Sequence, residues 1–585
     1  MQMNTINNVL YIDLAKRSFE VKPRADLFEK YLGGTGVATA LLQEECPAGA
    51  DPLGPENPII LAVGALTGMF PLMSKTVAMF KSPHNNSLGE SHCGGRSAIS
   101  IRLAGYGAIV IKNHSETPVY LAIHGDKVYI KDATTIWGLG NNFTVGRILR
   151  EREPGSGMRS IMRIGRAGEN LVTYAAVTTE SYRHFGRLGL GAVFGSKMLK
   201  AIVISGKGSF SPEDMKGYRT LYDEFYQTAV NSPVMKKYHD LGTAANIKPL
   251  NLFGGLPTRN LQSAEFEDAD KISGEAFAEQ LLGRRLACSH CPVGCVHIAA
   301  LRDPYEDEAY FYKTSMICYD YEPIFSLGSF LGGNDPKDIL KLMDKIEVLG
   351  LDVMSAGVVL GWATEAMEKG MITTEDTLGL KLEWNNYKDY ILAIDYITNQ
   401  KNDFYKALAK GVDYASSKYG GDDFAMAFGG NEMPGYHTGP AAHVGFFVGM
   451  RHSHLDNAGY SVDQKFQVDK DLTPKQLAEK LVEEECWRQI LSSLVCCFFA
   501  RGIYSPEKVL EALKFAGYDL TPEDLTSIGK EIYKSKYNYK VQEGFSLTDY
   551  KLPERIYQTP SATGLISKEY VEAAIAEVKN IIDEI

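Results

Sequence analysis

Long hydrophobic runs are missing from this sequence. No window approaches the roughly 18 uninterrupted apolar residues that a membrane-spanning helix needs, so the sequence predicts no membrane span. The segment Met1 to Val21 is interrupted by charged residues and has no apolar stretch of the roughly 7–15 residues that a secretory signal contains. These two absences predict a cytoplasmic location.

An excess of positive charge is also missing. The chain has 61 Lys and Arg against 72 Asp and Glu, which gives a formal net charge of −11. This balance gives no electrostatic reason to bind nucleic acid or an anionic membrane. No glycine-rich loop ends in the Lys-Ser/Thr pair of a phosphate loop, so nucleotide binding is not supported either.

The 585 residues are enough for several domains, and their patterns change along the chain. Up to residue 207, short apolar runs and a hairpin pattern around Gly125-Asp126 predict strands. Beyond it, longer amphipathic segments, such as the one that opens at Asp335-Pro336, predict helices. The predicted fold is therefore α+β, with a strand-rich domain at 1–207 and two mainly α-helical domains at 208–418 and 419–585.

Cysteines are few, and their arrangement does not suggest a disulfide framework. The count of nine is odd, and no secretory signal accompanies it. Cys288, Cys291 and Cys295 form a C-x2-C-x3-C run, which supplies three ligands of a [4Fe–4S] cluster. The fourth ligand must come from elsewhere in the chain, and Cys496 and Cys497 are the candidates.

Zinc is the alternative occupant of this run. His290 and His297 flank the cysteines, and a site of three cysteines and one histidine is chemically acceptable for zinc. Spacing favours the cluster without excluding zinc. A non-catalytic iron–sulfur or zinc protein is therefore one interpretation at this point.

Ordered segments over most of the chain break this tie. They are Tyr31–Gly36, Leu66–Gly68, Lys81–Pro83, Ala104–Tyr106, Ile164–Asn170, Gly186–Lys197, the cysteine run and Gly350–Asp352. In these segments, up to about residue 545, the chain resembles the aldehyde:ferredoxin oxidoreductase family. The resemblance implies a tungsten (or molybdenum) bis-pyranopterin beside one [4Fe–4S] cluster, with the cofactors at the domain interface.

Two pterin motifs belong to this resemblance. Glu347 and Gly350-Leu351-Asp352 match the family's D-x-x-G-L-D motif. The second motif, D-x-x-G-L-C, ends in the fourth cluster cysteine and reads Leu491 to Cys496 here, without its acid and its glycine. This alignment favours Cys496 as the fourth ligand and leaves Cys497 beside the cluster. The positions that the resemblance assigns to cofactor binding are Lys75, His92, Gly94, Arg183, His184, Gly186, Arg187, Glu347, Leu351, Asp352, Arg451, Asp456, Asn457, Val495 and Cys497.

Two of these positions depart from the family. Lys75 stands where the family places an arginine between pterin and cluster, so it keeps the charge but loses the guanidinium fork. His92 stands in place of the asparagine of a Mg2+ site, whose ion joins the two pterins through their phosphates. Arg183, His184 and Arg187 match the phosphate-contacting stretch, as cations suit phosphate.

The resemblance also implies catalytic residues. Glu322 matches the active-site glutamate and His454 the active-site histidine, although a one-residue length difference leaves His452 open. Oxidation of an aldehyde to a carboxylic acid releases protons, so a base is needed near the metal. His437 and His443, with Tyr436, Phe446, Phe447 and Tyr460, are predicted to line the substrate pocket.

The implied function is oxidation of an aldehyde, with electrons passed through the cluster to ferredoxin or a small ferredoxin-like subunit. A homodimer is a state that the family commonly adopts. The alternative within the family is a low-potential reductase that acts on an acyl-CoA or a carboxylic acid. Tungsten and molybdenum are not distinguished, because the pterins supply the ligands.

Overall fold

The computed structural model describes residues 6–155, 158–305, 308–466 and 472–585. The strands, in chain order, are β1 Asn8–Asp13, β2 Ser18–Pro23, β3 Ile59–Ala62, β4 Thr76–Lys81, β5 Leu88–Cys93, β6 Ala108–Lys112, β7 Val119–His124, β8 Lys127–Asp132, β9 Ser160–Ile164, β10 Val177–Thr179, β11 Arg183–Phe185, β12 Leu199–Ser205, β13 Leu282–Leu286, β14 Val296–Tyr305, β15 Glu308–Tyr319, β16 Ala427–Phe428 and β17 Asn431–Glu432.

The helices follow the same numbering. They are α1 Ala25–Tyr31, α2 Gly34–Glu45, α3 Ser97–Ala104, α4 Asn142–Arg152, α5 Arg166–Glu169, α6 Leu190–Ser196, α7 Met215–Asn231, α8 Pro233–Leu241, α9 Ile247–Leu252, α10 Gly274–Gln280, α11 Tyr321–Leu327, α12 Pro336–Leu349, α13 Val353–Glu368, α14 Tyr387–Asn399, α15 Asp403–Leu408, α16 Val412–Tyr419, α17 Pro440–Val448, α18 His454–Asn457, α19 Gly459–Phe466, α20 Pro474–Ser493, α21 Pro506–Lys514, α22 Pro522–Gln542, α23 Arg555–Gln558 and α24 Lys568–Glu584.

Two six-stranded sheets occupy the N-terminal third of the chain. Their strand orders are β2-β1-β6-β3-β4-β5 and β11-β10-β9-β12-β7-β8. The predicted hairpin is confirmed, since β7 and β8 pair antiparallel around Gly125-Asp126, with His124 opposite Lys127. After these sheets the chain is mainly helical, with one three-stranded sheet of β13, β14 and β15. The predicted α+β fold, strand-rich first and helical afterwards, is confirmed.

Two long helices position the site, and their sequences explain where they begin. The Asp335 side chain accepts a hydrogen bond from Lys337 N, and Pro336 follows at the first helical position of α12. At α20, Thr473 and Gln476 form a capping box around Pro474. Both helices bury apolar faces, and both end against segments of the N-terminal sheets. The site therefore lies where sheet and helices meet.

Within the described ranges, no helix combines the length and the apolar character that crossing a membrane requires.

Candidate redox site

The three cysteines of the run lie in the loop between β13 and β14, and each is partly buried. The segment 72–75 runs between this loop and the turn after α20. Leu72 N donates to His290 O at 2.9 Å, and Leu72 O accepts from Cys497 N at 3.0 Å. Lys75 N donates to Val495 O at 3.1 Å. One backbone strip thus joins the cysteine loop to both candidates for the fourth ligand.

The two adjacent cysteines have different surroundings. Cys496 pairs with Met73 in an isolated antiparallel bridge, and neighbours in an extended backbone point to opposite sides. Cys496 is 2% exposed within an apolar cluster, and burial raises the pKa of its thiol well above the usual range. Cys497 is partly exposed, and burial together with the Cys497 charge raises the pKa of Cys291 to about 12. The geometry therefore favours Cys497, and not the predicted Cys496, as the partner of the other three cysteines.

The turn at the end of α12 shows which residue of the first pterin motif occupies which position of the backbone turn. Gly350 has φ +81°, in the left-handed region that favours glycine. Leu351 N then donates to Ile346 O at 3.2 Å, and Asp352 N donates to Tyr174 O at 2.9 Å. The motif's glycine, leucine and aspartate thus each have a defined place in this turn.

The turn after α20 repeats this pattern. Val495 has φ +56°, Cys496 N donates to Leu491 O at 2.8 Å, and Cys497 N donates to Leu72 O at 3.0 Å. When this turn is superposed on the turn at Gly350–Asp352, Val495 occupies the position of the motif's glycine. Cys497 then occupies the position of the motif's last residue. The alignment that ends at Cys496 is therefore one residue out of register with the backbone.

Two cations face the cysteine loop. A Cβ atom at Gly94 would lie 2.7 Å from Cys288 Sγ and 2.9 Å from Lys75 Nζ, so a larger residue there would displace both side chains. Although burial opposes it, the charges of Lys75 and Arg183 lower the pKa of Cys288 to about 7. Lys75, whose pKa the thiolates of Cys497 and Cys288 raise against the effect of burial, remains charged. The positive charges of Lys75 and Arg183 favour cysteines in the thiolate form, which is the form that binds a metal.

A single zinc ion and a [4Fe–4S] cluster require different spacings of these thiols. In the described part of the chain, no group of three or more His, Cys, Asp or Glu side chains lies close enough to hold one metal ion. Thiolates on a single zinc ion would each lie about 2.3 Å from it. A [4Fe–4S] cluster binds its thiolates on separate iron atoms, which suits a wider set. The described residues thus show no ready single-ion site of the kind that zinc would use.

Several buried polar atoms at the predicted cofactor and catalytic positions have no hydrogen-bond partner among the described residues. The buried side-chain atoms without a hydrogen-bond partner include Arg183 Nε, His184 Nε2, Arg187 Nη1, Glu322 Oε1, Glu347 Oε2 and His454 Nδ1. Each such group costs about 1–3 kcal/mol if it stays unpaired. Four of these atoms are nitrogens of arginine or imidazole side chains, and the two guanidinium nitrogens among them are donors that suit a phosphate-bearing ligand. The residues therefore fit the pterin cofactor.

Arg187, one of the residues with an unpaired buried atom, contacts the first pterin motif. Its Nε lies 3.3 Å from Asp352 Oδ2, and its Nη2 donates to Glu432 O at 2.6 Å. Asp352 also accepts from the backbone of the first turn of α13, which it caps. A Cβ at Gly186 would meet only Asp352 Oδ1, at 3.9 Å, so protein packing leaves the space in front of Gly186 open. Leu351 is buried and pairs with Ala175 in a bridge.

The position predicted for magnesium is occupied by other interactions. His92 Nε2 lies 2.6 Å from Glu90 Oε1, and Lys536 Nζ lies 2.5 Å from Glu90 Oε2. Burial and the charge of Arg451 lower the pKa of His92, although Glu90 acts in the other direction. Mg2+ prefers oxygen ligands that are free to bind it. These side chains do not fit the ion, so the Mg2+ prediction finds no support here.

Glu322 and His454 face each other, as the resemblance implied. His454 Nε2 lies 3.4 Å from Glu322 Oε1, without the alignment of a hydrogen bond. Their side chains keep 16% and 11% of their surface accessible although protein surrounds them, so a space lies beside the pair. Burial raises the pKa of Glu322 to about 8, against the effect of the Gly435 N–H. Burial, together with nearby arginines such as Arg187, lowers the pKa of His454 well below its usual value.

Aromatic rings enclose this pair. The ring centroids of Tyr436 and His454 are 5.1 Å apart, and Tyr436 stacks on Tyr460 at 4.3 Å. Tyr321 lies 5.1 Å from Tyr436. A cleft of about 440 Å3 begins at Asn457, three residues along the same helix as His454. Tyr436 and Tyr460 therefore lie at the site, as predicted.

The other predicted pocket residues are buried among other side chains. His437 Nδ1 lies 2.8 Å from His443 Nε2, and both imidazoles are fully buried, so they contact each other and not an open pocket. Phe446 packs on His443, and Phe447 packs on Phe545. His437, His443 and Phe446 thus lie in the core, whereas Phe447 also lines a cleft together with His452. That these four side chains line the substrate pocket stays a prediction.

His452 also points away from Glu322. Its Nδ1 lies 3.2 Å from Phe446 O, and its Nε2 lies 2.9 Å from Lys540 Nζ. The geometry thus favours His454 over His452 as the partner of Glu322.

Three predicted cofactor residues hold the loop that carries His454. Arg451 Nε donates to Asp456 Oδ1 at 2.6 Å, and Asp456 Oδ2 accepts from the backbone of Arg451 and Ser453. Asn457 donates to Gly445 O at 3.0 Å and to Glu485 at 3.1 Å. These contacts fix the capping box at Ser453 that begins α18. Asp456 and Asn457 therefore act on the position of His454 through the backbone.

Sequence reasoning missed the buried charges of this region. Lys536 and Glu432 are each 1% exposed, and Glu432 binds His84 at 2.7 Å and Ser355 at 2.6 Å. One feature of the sequence could have indicated that Lys536 is buried. In α22, Lys536 follows the buried Ile532 and Tyr533 by four and three residues, so it lies on the apolar face of that helix. A lysine at such a position is expected to have a buried partner.

Two family models cover almost the whole chain. The model for the aldehyde ferredoxin oxidoreductase N-terminal domain matches residues 9–206, and the model for domains 2 and 3 matches residues 220–584. The chain belongs to the aldehyde ferredoxin oxidoreductase family. It is therefore an oxidoreductase, and the resemblance seen in the sequence is confirmed.

Individual relatives agree with this membership. A tungsten-containing aldehyde ferredoxin oxidoreductase of Thermococcus kodakarensis is 33% identical over 558 residues, 92% of this chain and 89% of that protein. Its counterpart in Pyrococcus furiosus is 32% identical, with the same coverage of both chains. The WOR-like subunit of an aliphatic sulfonate oxidoreductase from Pyrococcus furiosus is 31% identical over 90% of this chain and 84% of its own.

One solved structure shows the same fold. It is the active-site complex BamBC of benzoyl coenzyme A reductase in complex with 1,5-dienoyl-CoA, with a TM-score of 0.83 and 20% identity over 100% of this chain and 95% of that one. At this identity the likeness concerns the fold of this oxidoreductase, not its reaction.

Proposed function

We propose that this oxidoreductase converts an aldehyde to a carboxylic acid and passes the electrons through a [4Fe–4S] cluster to ferredoxin or a ferredoxin-like subunit. The observation that carries the proposal is the enclosed pair of Glu322 and His454, 3.4 Å apart, beside unpaired cationic donors and the cysteine loop. The family and its tungsten-containing relatives support the same reaction.

The residues proposed to hold the cofactors come from the family resemblance, and the contacts described above support them. Cys288, Cys291, Cys295 and Cys497 would bind the cluster, with Lys75 between cluster and pterin. Arg183, His184, the Gly186 backbone, Arg187 and Asp352 would bind the two pterins and their phosphates, and Glu347 would offer its unpaired carboxyl group to the first pterin. When bound, a tungsten or molybdenum bis-pyranopterin supplies the two-electron chemistry, and the cluster passes electrons on singly.

Glu322 and His454 would handle the protons. Conversion of an aldehyde and water to a carboxylic acid releases two protons and two electrons. With a pKa near 8, the carboxyl of Glu322 is poised to exchange a proton near neutral pH. His454, whose imidazole burial keeps neutral, can relay a proton: it would accept one at its unpaired Nδ1 while Nε2, 3.4 Å from Glu322 Oε1, releases one to the carboxylate. The tyrosines around the pair limit the access of bulk water.

The test is the substitution Glu322→Gln, which keeps the shape and removes the titrating group. We expect kcat with an aldehyde and a viologen dye to fall about 10²–10⁴-fold, while iron and tungsten contents stay unchanged. The wild-type rate should rise with pH and level off above about 8, because the basic form of Glu322 accumulates there. This rise should be absent in the variant.

Glu279→Gln, the same change at an exposed position, is the matched control and should leave the rate unchanged. An unchanged kcat in Glu322→Gln would remove Glu322 from this role. The alternative substrate, an acyl-CoA or a carboxylic acid, has the support of fold likeness alone. Reduction of an acyl-CoA by dithionite-reduced enzyme, without aldehyde oxidation, would favour it.

The remaining expectations belong to the same proposal. The domain bounds 1–207, 208–418 and 419–585 agree in their first division with the gap between the two family models at 207–219. A cytoplasmic location and a homodimer are proposed from the sequence and the family alone.

A further inference from the structure

A cleft of about 580 Å3 opens beside the cysteine loop, and we name it the arginine cleft. Its wall contains Arg96, Arg150, Arg159, Arg183 and Arg284, and Cys288 belongs to the same wall. The arginines come from elements that are far apart in sequence, including α4, β11 and β13. The fold thus gathers them at one place on the surface.

The charge of this cleft opposes that of the chain. Five arginines line it, and Glu180 is its one carboxylate among the described residues. Burial raises the pKa of Glu180, although the Ser160 hydroxyl and Arg96 act against this. The whole chain carries a net charge of −11. A local excess of positive charge on an acidic protein attracts an acidic partner to that place and repels it elsewhere.

The cleft is continuous with the proposed cluster site. Ser289 N donates to Gly95 O at 2.9 Å, and both Gly95 and Cys288 line the cleft. Arg183 also lies beside the thiols, because a Cβ atom at Gly94 would be 2.7 Å from Cys288 Sγ and 3.7 Å from Arg183 Cδ. A partner seated on the arginines would therefore lie next to a ligand of the cluster.

We propose that the arginine cleft is the docking surface for an acidic, one-electron iron–sulfur carrier protein. The inference rests on the proposed function, which needs an exit for electrons. Each turnover yields two electrons from one aldehyde and one water. In each docking event the oxidised centre of the carrier would accept one electron from the cluster that Cys288, Cys291, Cys295 and Cys497 would hold, so two events would balance one turnover.

The distribution of the arginines favours a protein over a small anion. Arg150 and Arg284 are exposed at separate elements, α4 and β13, and Arg284 donates to Tyr182 OH at 3.1 Å instead of pointing at a single centre. Transient electron-transfer complexes bury small areas and use complementary charge to raise the rate of encounter. A rim of spaced guanidinium groups suits that kind of contact.

The test is the double substitution Arg150→Glu and Arg284→Glu in the holoenzyme, at two exposed positions outside the cluster ligands. With an acidic [4Fe–4S] ferredoxin as acceptor, we expect kcat/KM for the carrier to fall about 10–100-fold at low ionic strength. The difference should shrink toward 1 M salt, where the Debye length is about 3 Å. Aldehyde oxidation with a viologen dye, which needs no docked protein, should stay unchanged.

Lys388→Glu with Lys401→Glu makes the same change of charge at two exposed positions away from the cleft and serves as the control. Arg150→Gln with Arg284→Gln should give an intermediate loss. Equal carrier kinetics in the Glu double variant and the control would overturn the proposal. So would binding of inorganic phosphate in the cleft with unchanged carrier kinetics, because the cleft would then be a small-anion site.

A failure of the proposed function remains distinguishable. If the wild-type enzyme oxidises no aldehyde, dithionite-reduced ferredoxin can be mixed with the oxidised enzyme, and reduction of its cluster can be followed by absorbance. This reverse electron transfer needs the docking surface but no substrate. Loss of that rate in the Glu double variant supports the docking surface, and an unchanged rate overturns it.

Discussion

At the end of α12 the chain turns through Gly350, with φ +81°, and at the end of α20 it turns through Val495, with φ +56°. In both turns the next backbone N–H bonds a carbonyl five residues back, and the one after it bonds a segment of the N-terminal part. The first turn ends on Asp352 and the second on Cys497. The backbone is therefore the same, and the final side chain differs.

The two final side chains, Asp352 and Cys497, have different roles. Asp352 accepts hydrogen bonds from Met354 N and Ser355 N, which caps α13, and it pairs with Arg187. Cys497 makes no capping hydrogen bond to the 3-10 helix Phe498–Ala500 that follows it. One turn thus delivers a carboxylate that stabilises the fold, and the other delivers a thiol that has no structural partner. Such a thiol is available to a cluster.

The largest effect should come from the thiol. We expect Cys497→Ala to lose at least one of the about four irons of the cluster. Electron transfer to an external acceptor should fall by more than about 100-fold, because the cluster is the proposed exit path. Iron per chain and the paramagnetic resonance spectrum of the reduced cluster measure this loss.

Cys496→Ala is the matched control, one residue away in the same turn. It removes a buried thiol from an apolar cluster and should keep the cluster and its spectrum. Retained iron in Cys497→Ala and lost iron in Cys496→Ala would return the fourth ligand to Cys496 and contradict the register drawn from the two turns.

The carboxylate should show the next largest effect. Asp352→Ala removes the cap of α13 and leaves Arg187 with one charge partner fewer, so we expect a loss of about 2–4 kcal/mol in the free energy of unfolding. Asp352→Asn keeps the capping oxygen and should lose roughly half as much. Thermal unfolding of both variants, measured by calorimetry, gives the two shifts.

Asp335→Ala removes a cap from the exposed start of α12 without a charge partner, and it should cost about 1 kcal/mol. If Asp352→Ala costs no more than this control, the pair with Arg187 contributes nothing, and Asp352 would be a cap alone.

The sequence was sufficient for some parts of the site and insufficient for others. The assignment of Glu322, His454 and the cationic stretch at Arg183 to the site followed from ordered family segments. In the structure Glu322 lies 3.4 Å from His454, and Arg183 keeps a buried, unpaired Nε. The register of the second motif did not follow, because the motif's glycine is Val495 and two cysteines are adjacent. Only the left-handed turn fixes which residue stands in which place.

Histidine patterns were insufficient for a related reason. His437 and His443 are typical of a polar pocket in the sequence, but His437, just before α17, contacts His443 within α17 in the core. Composition cannot show which face of α17 meets the cavity. Local strand and helix patterns were sufficient for the fold, since the β7–β8 hairpin and the start of α12 carry their own turn and capping residues.

The smallest expected effect tests the turn itself. Gly350→Ala places a Cβ in the left-handed region, which costs about 1–2 kcal/mol. It also places that atom 2.9 Å from Gly165 N and 3.0 Å from Gly165 Cα, which are backbone atoms that cannot rotate away. Gly370→Ala is the matched control, with φ +69° and no atom within 4 Å of the new Cβ. We expect Gly350→Ala to lower the thermal midpoint more than Gly370→Ala does. Equal shifts would mean that the contact of the new Cβ with Gly165 costs nothing. The left-handed φ would then be the sole reason for glycine at position 350.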